Sequence, residues 1–249
     1  MFNLTPIPVP DLSGRTILLT GADRGIGAAL TRILVDKGAN VIAGIYGKVD
    51  GPEMLEGART ISLDVTSQSQ VDDAIQEVGG QLDVLVNNAG VIAPIGHAAD
   101  LATDSMRQAF EVNVLGVHRM VVAALPLLKA SKGRIVNAGT GAATTPMEGW
   151  TAYCSSKAAM RMLTQMFAME LESDGVRSVF IGIPPTDTDM QGSIRQAGLN
   201  PISKIAQSDL VDPRVPASVM AWLCSEQAAQ RTDVIQDVRD EFFTEQMAL

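Results

Sequence analysis

With 249 residues, 46% of them hydrophobic and 19% charged, the chain has the size and composition of a folded α/β protein, not of an extended disordered one. A formal net charge of -9 argues against nucleic acid as a partner, since binding a phosphate backbone requires a basic face. Cys154 and Cys224 are the only cysteines; they lie far apart and outside any CxxC or histidine-rich setting, so both are read as free thiols and no metal site is expected.

Residues 1–13 carry Pro6, Pro8 and Pro10 and are expected to form an extended arm. The N-terminus lacks the basic and apolar regions of a secretory signal. No apolar stretch reaches the roughly 18 residues that would cross a bilayer, so a cytoplasmic protein with no membrane partner is the expectation. Residues 15–20 form a short apolar strand that runs into a glycine turn at 20–27. Residues 26–37 then carry apolar side chains at helical spacing, and Gly38 ends that helix. Further strands are expected at 41–45, 58–63, 82–86, 133–137 and 176–182, nearly continuous in apolar residues as in a parallel sheet buried on both faces, with a last strand near 234–238. Helical patterns separate most of them. Residues 46–57, broken by Gly47, Gly51, Pro52 and Gly57, are too short for a crossover helix and are expected to hold a turn or a single helical turn. Strands alternating with helices predict a doubly wound, Rossmann-type α/β sheet of about seven parallel strands with helices on both faces, in one domain. The polar, Gly- and Pro-containing stretch 187–216 would lie beyond the C-terminal ends of the strands, where ligands bind, and is the candidate substrate lid.

Gly21, Gly25 and Gly27 form the kind of turn that lets backbone approach a pyrophosphate at a helix N-terminus. A glycine run alone is weak evidence, but this one directly follows the first strand and opens the first helix. Arg24, inside the turn, suits a 2′-phosphate on the adenosine ribose; the plainer alternative is a solvated surface arginine. NAD sites usually place an acidic residue at the end of the second strand, and here that stretch reads Gly44-Ile45-Tyr46-Gly47-Lys48. With no carboxylate to repel a 2′-phosphate, NADP(H) is favoured over NAD(H). Downstream, Tyr153 and Lys157 stand four apart on one face of a predicted helix, so the ammonium can favour the phenolate and lower the tyrosine pKa. A proton donor beside a dinucleotide points to hydride transfer to a carbonyl.

Taken together, these features resemble the short-chain dehydrogenase/reductase family over about residues 14–189. The family's TGxxxGIG matches Thr20 to Gly27, its adenine-side Asp-Val matches Asp64-Val65, and its NNAG matches Asn87-Asn88-Ala89-Gly90. Its helical asparagine matches Asn113 and its YxxxK matches Tyr153 and Lys157. The resemblance implies cofactor contacts from Gly21, Asp23, Arg24, Gly25, Ile26, Gly27, Tyr46, Asp64, Val65, Asn87, Ala89, Gly90, Tyr153, Lys157, Pro184 and Thr188. It makes Tyr153 the general acid and gives Lys157 the tasks of lowering its pKa and holding the nicotinamide ribose. Asn113 would support a water relay. Thr140 stands where the family has a serine that orients the substrate oxygen, and Thr144 is an alternative hydroxyl.

Two departures accompany the match. Ile183-Pro184, or after a shift of one Pro184-Pro185, replaces the family's Pro-Gly near the nicotinamide, while Thr188 keeps the carboxamide contact. In place of a Gly-Gly close, the chain ends in a strand and an acidic tail, Gln236-Asp237-Val238-Arg239-Asp240-Glu241. The expected activity is NADP(H)-dependent reduction of a neutral, moderately apolar ketone or aldehyde, or the reverse alcohol oxidation, by a homodimer or homotetramer. An NADPH-sensing binding protein and a cofactor-assisted lyase, isomerase or cyclase are the alternatives. His97 and His118 are read as packing or surface residues, and Met160, Met162, Met166 and Met169 as core or helix-helix interface.

Overall fold

The computed structural model describes residues 4–247. Seven strands form one parallel sheet: β1 (Thr16–Thr20), β2 (Asn40–Ile45), β3 (Arg59–Ser62), β4 (Val84–Asn87), β5 (Arg134–Thr140), β6 (Arg177–Ile183) and β7 (Ile235–Asp237), in the order β3-β2-β1-β4-β5-β6-β7. Each strand lies within two residues of its expected bounds except β5, which runs three residues past its expected end to Thr140. The order reverses between β1 and β4, and such a switch point opens a crevice at the C-terminal ends of the strands. All five residues of β1 are buried, which is why that strand shows no alternation of polar and apolar residues.

Helices α1 (Gly25–Asp36) and α7 (Arg214–Leu223) cover one face, where Leu30 and Leu34 share a core with Ile17, Leu19 and Trp222. On the other face α2 (Gln68–Val78) and α4 (Val117–Ser131) close a second core around Leu18, Leu85 and Ile135, joined by Phe167 of α5 (Thr151–Glu170). Gly38 ends α1 at φ +83°, a left-handed turn that a side chain would strain. Between β2 and β3 there is only a 3-10 turn, Pro52–Leu55.

One expectation gains detail and two need correction. The described part of the N-terminal arm is extended but not loose: Leu12 is fully buried, the Ile7 N–H donates to Ser218 Oγ at 3.0 Å, and Thr5 Oγ1 donates to the Met247 carbonyl at 2.7 Å. Met1, Phe2 and Asn3 of that arm fall outside the described residues. The tail after β7 folds into α8 (Glu241–Met247), whose Phe243 is fully buried edge-on to Trp222 at 5.7 Å, because the two phenylalanines in Glu241-Phe242-Phe243 outweigh the flanking charge. Finally, the continuous helical stretch Thr103–Ser131 does contain an 18-residue window of mean hydropathy 1.4, long and apolar enough to cross a membrane by composition. Its Met120, Val121, Ala124 and Leu128 are buried in the sheet core, so burial against the strands accounts for part of that composition, while Leu115 and Val122 are exposed. The methionines divide: Met160 is in the core, while Met162, Met166 and Met169 on α5 are exposed, as are Leu115 and Val122.

Candidate active site

The glycine turn is built by exclusion of side chains. Gly21 and Gly25 hold φ of +66° and +53°, a Cβ on Gly21 would lie 2.9 Å from Ala89 Cα, and one on Gly27 would overlap the Gly21 carbonyl. The turn is tied to β4: Thr20 Oγ1 accepts from the Asn88 and Ala89 N–H groups, both at 3.1 Å, and Asn88 Nδ2 donates to the Gly21 carbonyl at 2.8 Å. Helix α1 opens with no side-chain cap. Uncapped amides on a glycine cradle fit a pyrophosphate.

The crevice above this turn is a cleft of about 760 Å³ that continues along the strand ends to the lid. Sixteen of the eighteen anticipated site residues line it. At one end are Gly21, Asp23, Arg24, Gly25, Ile26, Gly27, Tyr46, Asp64 and Val65; Ala89 and Gly90 stand in the middle, and Thr140, Tyr153, Lys157, Pro184 and Thr188 follow at the other. Asp64 is fixed by its own turn, accepting from the Thr66 N–H and Oγ1 at 2.8 Å each. Arg24 is 60% exposed and lies 3.9 Å from Asp23 and 3.8 Å from Asp189.

The other two are displaced from the cleft wall. Asn87 ends β4 with its side chain directed under the sheet, where Nδ2 donates to Asn137 Oδ1 at 2.8 Å and Asn137 Nδ2 donates onward to Thr164 Oγ1 at 3.0 Å. Strand alternation gives the wall to its neighbour Asn88 instead. Asn113 is fully buried in a π-helical turn, Glu111–Gly116, that joins α3 (Arg107–Phe110) to α4. Its Oδ1 accepts from the Val91 N–H at 2.9 Å, while Nδ2 donates to the Val91 carbonyl at 2.8 Å and to Ser156 Oγ at 3.0 Å. Every polar atom of that side chain is engaged by protein, so it positions the wall at Gly90-Val91 against α5.

Thr140 ends β5 and caps the 3-10 turn Gly141–Ala143, accepting from the Ala142 N–H at 3.3 Å. Thr144 is exposed and away from the cleft wall, so Thr140 is the hydroxyl in place. The Tyr153 ring packs edge-on against Trp150 at 5.6 Å. Burial pushes its phenol up to about 12, only partly offset by a hydrogen bond with Thr140. The expected depression by Lys157 is not present, and geometry gives the reason. The Lys157 ammonium donates to the Ala138 carbonyl at 2.9 Å and stands 6.0 Å from the Tyr153 ring centroid, and its own burial lowers it to about 8.

After β6 the prolines are held through their carbonyls: Pro184 accepts from Thr186 Oγ1 at 2.8 Å and Pro185 from the Val211 N–H at 3.0 Å. Both line the cleft. Helix α6 (Asp189–Ala197) starts at Thr188, whose methyl rests over Gly25, 3.1 Å from where a Cβ there would stand. The lid thus touches the glycine turn. Its Met190, Ile194, Ile202 and Ile205 face the cleft, whereas Leu199 packs on Gly149. The lid's expected end at 216 is too late, because α7 begins at Arg214.

Residues 15–198 match the family model for short chain dehydrogenases. The chain is a short-chain dehydrogenase/reductase. It is 34% identical over 236 residues to a benzil reductase ((S)-benzoin forming) of Saccharomyces cerevisiae, covering 84% of this chain and 90% of that one. It is 31% identical over 231 residues to a 3-oxoacyl-[acyl-carrier-protein] reductase of Vibrio harveyi, covering 89% and 94%. Among solved structures, a 3-ketoacyl-(acyl-carrier-protein) reductase from Brucella melitensis complexed with NADH superposes with a TM-score of 0.79 at 26% identity, over 92% of this chain and 98% of that one. A short-chain dehydrogenase/reductase from Saccharomyces cerevisiae gives 0.83 at 25% identity, over 94% and 100%. The chain is therefore an oxidoreductase of a family that uses nicotinamide cofactors. Among the wall residues that sequence reasoning missed, Arg239 stands out. It lies just beyond the last strand, and its only signal was the charged sequence that replaces the family's Gly-Gly close.

Proposed function

We propose that the protein is an NADP(H)-dependent reductase of ketones or aldehydes, running in reverse as an alcohol dehydrogenase. The observation that carries this reading is the convergence of Thr140, Tyr153 and Lys157 on one cleft that begins at an uncapped glycine turn. A reduced nicotinamide, when bound in this cleft, would supply the hydride. Tyr153, held neutral by burial, donates its phenolic proton to the carbonyl oxygen as the alcohol forms, and the Thr140 hydroxyl donates a hydrogen bond to the same oxygen. Lys157 holds the ribose hydroxyls, and Asn113 acts behind the wall by fixing Val91 to α5.

Choice of NADP(H) rests on Arg24 at the cleft rim and on Ile45-Tyr46-Gly47, where an NAD site would set a carboxylate. A neutral, moderately apolar carbonyl substrate suits the isoleucines of the lid wall and is in keeping with the yeast relative being a benzil reductase. The exposed apolar side chains Leu115, Val122, Met162, Met166 and Met169 provide a face for a homodimer or homotetramer. The deciding experiment is Tyr153→Phe: carbonyl-dependent NADPH oxidation is expected to vanish while NADPH binding persists. Reduction at the wild-type rate would remove Tyr153 from the role of acid.

A further inference from the structure

The cleft contains a cation with no part in the chemistry above. Thr140 pairs with Ile183 across β5 and β6, and Gly182 pairs with Asp237 across β6 and β7. With neighbouring strands about 4.8 Å apart, the end of β7 therefore lies roughly 10 Å from Thr140 along the strand-end row. Arg239 follows Asp237 by two residues and reaches the cleft wall from there. Asp237 sits over Gly182, which leaves room for no side chain. It holds the guanidinium as a fork, accepting from Arg239 Nε at 2.7 Å and from Nη2 at 2.7 Å. Two of the guanidinium nitrogens are thereby fixed in one plane, and Nη1 has no partner among the described residues. The pair is close to neutral as a unit, which disfavours an incoming anion but leaves a rigid donor. Across the cleft the lid offers apolar Ile194, Ile202 and Ile205.

We propose that Arg239 is a specificity-determining residue, whose free Nη1 donates a hydrogen bond to an uncharged second oxygen, a carbonyl or ester oxygen, on a substrate whose reacting carbonyl lies at Thr140 and Tyr153. This rests on the reductase reading. Beside the lid's isoleucines, one pre-oriented donor favours a substrate that carries an acceptor within its reach over one that does not.

The test compares methyl oxoalkanoates, with ketone and ester separated by increasing numbers of methylenes, against plain ketones of equal length and against the free oxocarboxylates. The wild type is expected to prefer one ester by about tenfold or more in kcat/KM, chiefly through KM. Arg239→Met should abolish that preference, bringing kcat/KM for the esters down to that for plain ketones of equal length, and Asp237→Asn, by freeing the charge, should lower KM for the carboxylates. A thermal unfolding midpoint verifies the fold of each variant. If Arg239→Met does not fold, Arg239→Lys, which keeps the charge but not the fork, should show a partial loss. Ester preference retained by the folded variant, or loss equal on esters and plain ketones, overturns the assignment. A wild type that reduces no ketone of any class overturns the reductase reading and this inference with it.

Discussion

Lys157 is an ammonium placed where water is scarce, and the consequence can be measured without any substrate. Its pKa falls from 10.5 to about 8 on folding, by desolvation. Below pH 8 the lysine is charged in both states, and the fold carries the whole penalty, about 3 kcal/mol at 1.36 kcal/mol per pKa unit. Between 8 and 10.5 the unfolded chain binds more protons than the folded one, so this group's contribution rises with pH, and by pH 9.5 less than half of the penalty remains. Lys157→Met deletes the titration and keeps an unbranched side chain of similar length. The free energy of urea unfolding at pH 7 and pH 9.5 should therefore show the variant gaining on the wild type at the lower pH, and that advantage should shrink by about 2 kcal/mol at the higher one. Taking the difference between proteins removes Cys154 and Cys224, whose raised thiol pKa values cost stability as pH climbs through the same range in both. A variant-minus-wild-type difference that stays constant across the two pH values would refute the desolvated-ammonium argument.

The remaining expectations concern recognition, chemistry and scaffold. Arg24→Ala should weaken NADPH binding by about tenfold and leave NADH unchanged, measured by fluorescence titration; equal losses for both nucleotides would remove the 2′-phosphate argument. Thr140→Val, which keeps the shape and deletes the hydroxyl, should lower kcat by about 10²-fold or more, whereas Thr140→Ser should stay near wild type; an active valine variant would point to another donor. Asn113→Ala removes three buried hydrogen bonds and should destabilise the fold by about 3 kcal/mol or more in urea unfolding. A loss of activity at full stability would instead favour a direct role in proton resupply.

The sheet and its strand bounds were legible because strands buried on both faces must be apolar throughout, and glycines at φ +66° and +53° have no ready substitute. Motif spacing placed the chemistry, but not the direction of each side chain. Asn87 and Asn88 look interchangeable in a linear text, and only the pleat decides that one faces α5 and the other the cleft. The Tyr153–Lys157 spacing likewise put both on one helix face but could not reveal the burial that sets their proton affinities, because that depends on Trp150 and the lid. Arg239 was invisible as a site residue since it enters through the register of β6 with β7, a contact more than fifty residues apart in sequence. The buried arm and α8 escaped for the same reason: Leu12 and Phe243 become core only through tertiary contacts with α1 and α7.

The diproline after β6 shows how a departure from motif can leave a site standing. Proline contributes no N–H, so the one donor that the glycine of the family's Pro-Gly would supply is missing from the wall. The loop does not need it to hold its course. Pro184 and Pro185 are anchored as acceptors, and the Asp187 N–H returns a bond to the Val211 carbonyl at 2.9 Å, so a parallel bridge from Thr186 to Val211 fixes the path instead. What the substitution changes is polarity. The nearest side-chain donors at this point are Thr186 and Thr188. Thr186 Oγ1 donates to the Pro184 carbonyl, and Thr188 lies at the start of α6 against Gly25, so the carboxamide contact expected there would depend on Thr188 and on lid position together. A change in α6 that lifts Thr188 from Gly25 should then weaken nucleotide and substrate binding in step.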